Sequence, residues 1–255
     1  MNPDELHDRF EVTDASTPES VPLGAEIARK IPLPAFAVLS GGDAFDVIGG
    51  KPPAEGPARA KAFADAKIAV HAHGAGPEVG ARVLSEIRAQ IAGNLALIAR
   101  LQVARPISID LIPPGKSMAK YGYPAATSRN ASGLFWDHPD WERARIALRQ
   151  DRLSEPALVV HEMAHAIQYL AFTEDEREAI YRTMLRTYRR RCAVDEVFAI
   201  YSEREFLTAF TDRDKRAPGV YGVARQRWNE EHLFTRFVRN LYFPYKPLAG
   251  PARMA

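Results

Sequence analysis

Residues His161-Glu162-Met163-Ala164-His165 form an H-E-x-x-H pattern inside the apolar run Leu158 to Ile167. On a helix, His161 and His165 lie one turn apart on one face. Both imidazoles can then reach a single zinc ion at ~2.0–2.1 Å. Glu162 is turned ~100° from His161, where its carboxylate can face a water held by the metal and take its proton. Leu158, Val159, Met163, Ala164, Ala166 and Ile167 are uncharged, as a helix buried behind an active site requires. The competing reading is a plain core helix, which would need other buried partners for two imidazoles and a carboxylate.

A catalytic zinc takes three protein ligands and keeps one position open. The metzincin order, with a glycine and a third histidine soon after the motif, is excluded because residues 166–172 contain neither. The better source is Val194-Asp195-Glu196-Val197-Phe198-Ala199-Ile200-Tyr201-Ser202-Glu203. Glu196, Ile200 and Glu203 share one helical face at i, i+4 and i+7. Glu196 is the leading candidate, with Glu203, Glu205 and Asp195 as rivals that spacing alone does not separate. A solvated acidic face is the bland alternative.

The elements that must position these groups follow from periodicity and punctuation. Ser154 is a good N-cap, so the motif helix is expected from about 155 to 172. Thr173-Glu174-Asp175-Glu176 reads as a capping box opening a helix to about Arg191. Further helices are expected over about 194–210 and 223–242. Upstream, Leu84, Ile87, Ile91, Leu95 and Ile98 recur at three and four residues, giving one helical stripe between Pro77 and Leu101. Ala35–Leu39, Lys67–His71, Ser132–Trp136 and Arg145–Leu148 are candidate strands, the last also readable as a short helix. Ile107–Ile112 alternates as a half-buried strand, and residues 49–58, rich in glycine and proline, read as a loop and a possible processing point. The class is α+β: a small mixed sheet before the motif helix and a mostly helical C-terminal half. The expected division is a tail over 1–24, an N-terminal segment of unclear role over 25–76, and a catalytic domain over 77–245. Ser132 to Trp136 is the candidate sheet edge to which a substrate peptide could add by main-chain hydrogen bonds.

The motif His161-Glu162-Met163-Ala164-His165-Ala166-Ile167, followed by Glu196-Val197-Phe198-Ala199-Ile200-Tyr201-Ser202-Glu203, resembles the gluzincin metallopeptidases of the Mlc titration factor A and anthrax lethal factor type. The resemblance spans roughly residues 80–240 and implies a zincin-like fold, one zinc per chain and a peptide or protein substrate. It implies Glu196 as third ligand, Glu203 as the glutamate supporting the ligands, and Gly133, Leu134 and Phe135 as the substrate-binding strand. The family also places an oxyanion-donating tyrosine ahead of the glutamate helix. Here the nearest is Tyr188, one residue upstream of that register, where Arg189 falls; Tyr201 and Tyr221 are other options. The alternative function is a non-catalytic binding or regulatory protein kept together by zinc on the same scaffold.

Composition narrows the classes. The 255-residue chain is 46% apolar and 26% charged with a net charge of +2, which offers no electrostatic case for nucleic acid or an anionic membrane. No apolar run is long enough to span a bilayer. The polar, acidic stretch Met1 to Ser20 lacks the apolar core of a signal peptide, so a cytoplasmic location is the expectation, with non-classical secretion the other route. A single cysteine, Cys192, precludes an intramolecular disulfide. His71-Ala72-His73 reads as exposed loop histidines rather than a metal site. Gly115-Lys116-Ser117 lacks the upstream glycine of a phosphate loop, since position 110 is Asp. The arginines at 182, 186 and 189–191 suit a helix C-terminus. Oligomeric state is left open.

Overall fold

The computed structural model describes residues 54–138, 140–155, 157–188, 194–210 and 233–243. The expected tail over 1–24, the strand over 35–39, Arg189 to Arg191, Cys192, Tyr221 and residues 223–232 lie outside the described residues. So do the side chains of Tyr188, Arg182 and Arg186.

The described residues form a four-stranded mixed sheet with the longer helices packed on one face. In order these are α1 (Gly56–Lys67), β1 (Ile68–His71), α2 (Pro77–Ile91), α3 (Leu95–Val103), β2 (Ile107–Ile112), β3 (Gly133–Trp136), β4 (Ala144–Arg149), α4 (Leu158–Ala171), α5 (Glu174–Tyr188), α6 (Val194–Phe210) and α7 (Leu233–Tyr242). The strand order is β1-β2-β4-β3. The β1–β2 and β2–β4 pairs are parallel, whereas β3 runs antiparallel to β4 along the margin of the sheet. Among the described residues, no helix is long and apolar enough to cross a membrane.

Alternation along the strands divides the two faces. Ile107, Ile109, Leu111, Ile146 and Leu148 face the helices in the main core, joined there by Ala60 and Phe63 of α1. Residues 56–71 therefore share a sheet and a core with the segment that follows residue 77. The loop reading of 49–58 gives way at Gly56, where α1 begins with a proline in its first turn.

Several elements depart from their sequence expectations for local reasons. The stripe between Pro77 and Leu101 is two helices, because the Asn94 side chain accepts from Ala96 N and Leu97 N and starts α3 afresh. Gly93 sits at the break, where a β-carbon would stand 2.1 Å from the Tyr242 carbonyl oxygen. The motif helix α4 starts at Leu158, so Ser154 does not cap it. Ala157, in the left-handed region with φ 61°, occupies the N-cap position. The capping box forms: Thr173 N donates to Glu176 Oε2 at 2.8 Å, and Glu176 N donates to Thr173 Oγ1 at 3.2 Å. Glu176 also pairs with the buried Arg100, which donates to the Ala171 carbonyl and so fastens the end of α4 to α3. Phe172, Phe198 and Phe237 pack edge-on or tilted at 5.6–6.4 Å between centroids, joining α4, α6 and α7.

The largest departure is β2, which is buried along its whole length rather than on one face. Its polar residues find partners remote in sequence. His71 meets Ser108 Oγ at 2.9 Å and His73 meets Asp110 Oδ1 at 2.9 Å. Tyr123 Oη donates to Asp110 Oδ2 at 2.8 Å, and Arg145 donates to the same oxygen at 2.6 Å. The guanidinium of Arg145 lies over the rings of Tyr123 and Trp141. Burial alone would raise the Asp110 carboxyl, but hydrogen bonds from His73, Arg145 and Tyr123 outweigh it and hold the group below its usual value. A carboxylate depressed in the folded state stabilises above the ordinary carboxylate range, and that contribution is lost as pH falls through the depressed value. Asp110→Asn is therefore expected to lower stability by about 2–3 kcal/mol at neutral pH. It should also flatten the acid limb of the stability profile below about pH 4. Chemical denaturation of both proteins across pH 2.5–7 measures both effects.

Candidate metal centre

Helix α4 is buried at every position except Tyr169, and α6 packs along it. His161 and His165 turn the same way, with their Nε2 atoms 3.2 Å apart. Glu196, in the first turn of α6, closes the group: Oε2 lies 3.4 Å from His161 Nε2 and Oε1 lies 3.8 Å from His165 Nε2. Four ligands bound at ~2.0–2.1 Å on a tetrahedron stand about 3.3–3.4 Å from one another; the two His161 separations lie near that value and the His165–Glu196 one is longer, so the group could hold a metal ion. Glu196 Oε2 is buried without a hydrogen bond of good geometry, while 43% of its side chain remains exposed. That gives a ligand atom turned inward on a residue bordering solvent. Among the described residues, His161, His165 and Glu196 are the one group of three able to hold a metal ion.

Glu203, two turns further along α6, supports this set. Its Oε1 lies 2.5 Å from His161 Nδ1. A carboxylate there favours the proton on Nδ1, so that Nε2 is the nitrogen turned to the group. Burial works against charge on His161, but its bonds to Glu196 and Glu203 prevail and push it up to about 10. Burial and the neighbouring charge of His161 push His165 down to about 4. Glu162, Glu196 and Glu203 thus gather around His161.

Glu162 lies between α4 and the margin of the sheet. It is 5% exposed, and burial with the nearby Glu196 charge pushes its carboxyl up to about 7 against the opposing pull of His161. The Phe135 main chain lies near it and works the other way, to lower it. Gly133 is required by the same approach, since a β-carbon there would stand 2.5 Å from Glu162 Oε1. Of the expected substrate strand, Gly133 and Phe135 face α4, whereas Leu134 faces away into the smaller cluster with Ile112, Met118 and Tyr123.

Tyr201 is buried in the core. Glu205 is not in the ligand group, and the side chain of Asp195 is outside the described ones. His71 and His73 are tied to Ser108 and Asp110 on the opposite face of the sheet. His138 is exposed beside Asp140, and His232 lies outside the described residues. Sequence reading passed over Gln90, whose amide donates to the Val160 carbonyl at 3.1 Å, one residue before His161. A polar residue in an apolar stripe was the available signal. It also passed over Tyr169, which its spacing of eight from His161 puts on the metal face.

No family model, curated protein or solved structure matches this chain. The site is therefore read from its own residues. Removing the partner of a ligating histidine typically costs 10–100-fold in metal affinity. Glu203→Ala is expected to weaken zinc binding by about that factor, and Glu203→Gln by less because an acceptor oxygen remains. Competition titration against a chromophoric chelator measures both.

Proposed function

We propose that this chain is a zinc-dependent metallopeptidase of gluzincin type, with a zincin-like domain that hydrolyses peptide bonds in a peptide or protein substrate. The observation that carries the reading is a buried carboxylate, Glu162, set beside a three-residue ligand group. A closed structural zinc site has four protein ligands, and the group contains three among the described residues. A carboxyl pushed toward 7 suits a residue that must both take and return a proton near neutral pH.

His161, His165 and Glu196 would hold the zinc, which would supply Lewis acidity there to activate water and polarise a carbonyl. The residues of the chain do the rest. Glu203 keeps His161 in the ligating tautomer. Glu162 receives the proton of the attacking water and returns it to the leaving amine. Gly133 leaves room for that carboxylate. The marginal strand β3 runs antiparallel to β4 beside this group, and a substrate can add there as a further strand. Tyr188 is the proposed oxyanion donor, and such a donor is worth about 2.7–4 kcal/mol.

Glu162→Gln is expected to keep one zinc per chain while turnover falls by about 10²–10⁴-fold. Metal analysis and peptide cleavage on the same preparation test this; undiminished cleavage removes Glu162 from the mechanism. Gly133→Ala should likewise spare zinc and lower kcat, because the added methyl displaces the carboxylate rather than a ligand.

A further inference from the structure

Tyr169 is the one exposed residue of α4, at 37% exposure. Successive residues on a helix are turned by ~100°, which puts Tyr169 between His165 and Glu162 in rotation and one turn beyond His165 along the axis. Its ring stacks on Phe135, with centroids 5.6 Å apart and planes inclined at 30°. Phe135 belongs to the marginal strand, whose Gly133 lies against Glu162. The two rings thus form a shelf spanning the motif helix and the sheet edge, beside the carboxylate and the ligand group. Arg177 donates to the Tyr169 and Phe172 carbonyls at 3.2 Å and lies 5.9 Å from the Tyr169 ring, which steadies the shelf from α5.

We propose that the Phe135–Tyr169 stack is a specificity subsite that seats an aromatic or large aliphatic side chain of the substrate. The inference rests on the metallopeptidase reading and adds the substrate class. A peptide running along β3 presents alternate side chains to the helix face of the sheet, the face on which Phe135 lies. A third ring or a branched aliphatic group there gains apolar burial and an offset or edge-on aromatic contact, whereas a small side chain leaves the shelf wet.

The test profiles cleavage of a randomised peptide library by the zinc-loaded full chain and by Tyr169→Ala and Tyr169→Phe. In parallel, the affinities of two peptide hydroxamates differing only in a benzyl or a methyl side chain are measured by calorimetry. The wild type is expected to favour Phe, Tyr, Leu or Met at one position flanking the cut by about tenfold or more over Ala and Gly. Tyr169→Phe should keep that ratio and Tyr169→Ala should collapse it toward one, with zinc content and far-ultraviolet circular dichroism retained in both. The ratio is internal to each protein, so a general loss of activity does not mimic the effect. Cleavage without such a preference, or a preference that survives in Tyr169→Ala, overturns the subsite while leaving the peptidase reading in place. If no peptide is cut, the peptidase reading falls and the hydroxamate pair decides the subsite. A benzyl advantage lost in Tyr169→Ala supports the shelf, and equal affinities overturn it.

Discussion

The relation between α4 and α6 governs the candidate metal centre. The His161–Glu203 contact at 2.5 Å and the approach of Glu196 to both imidazoles are possible only if the two helices keep one register. Much of the surrounding core serves that register. Phe172, Phe198 and Phe237 fill the space between the helices. Tyr242 Oη donates to Ser202 Oγ at 2.9 Å, next to Glu203, and Gln90 donates both to that phenol oxygen and to the Val160 carbonyl, next to His161. A buried polar chain therefore connects the residue before the first histidine to the residue before its supporting glutamate. Such a chain is costly to leave half-satisfied and rigid when complete.

The sheet supplies the other wall. The antiparallel β3 brings main chain rather than side chain up to Glu162, through the Phe135 main chain and the missing β-carbon of Gly133. The strand is itself braced from behind. Arg149 on β4 donates to the carbonyls of Ala131, Lys116 and Arg129 in the loops leading to it, and Leu134 and Trp136 pack against the smaller outer cluster. The Asp110 network holds that outer layer on the sheet, so a buried carboxylate on one face helps set the strand that positions a carboxylate on the other.

Much of the site was legible in the sequence because its members repeat at helical spacing. His161 and His165 at i and i+4, and Glu196 and Glu203 at i and i+7, announce one face on each of two helices. The β3 residues announced themselves as a strand by composition. What was not legible depends on partners far along the chain. Ser108 and Asp110 look like the wet side of a strand, and only His71, His73, Tyr123 and Arg145 make them core. Ser154 looks like a cap because nothing local reveals the left-handed turn at Ala157. The break at Asn94 hides within a continuous apolar stripe, since the stripe persists while the backbone restarts. Tyr169 was passed over because an aromatic residue near a helix end most often means packing.

On the proposed reading, His161, His165 and Glu196 together hold one zinc ion. X-ray absorption at the zinc edge of the reconstituted protein tests it most directly. One zinc per chain is expected, bound by two imidazoles and by oxygen at ~2.0–2.1 Å, with the two-imidazole signature reduced to one in His165→Ala and an oxygen shell altered in Glu196→Ala. A wild-type protein that takes up no zinc, or a zinc shell without histidine, would contradict it.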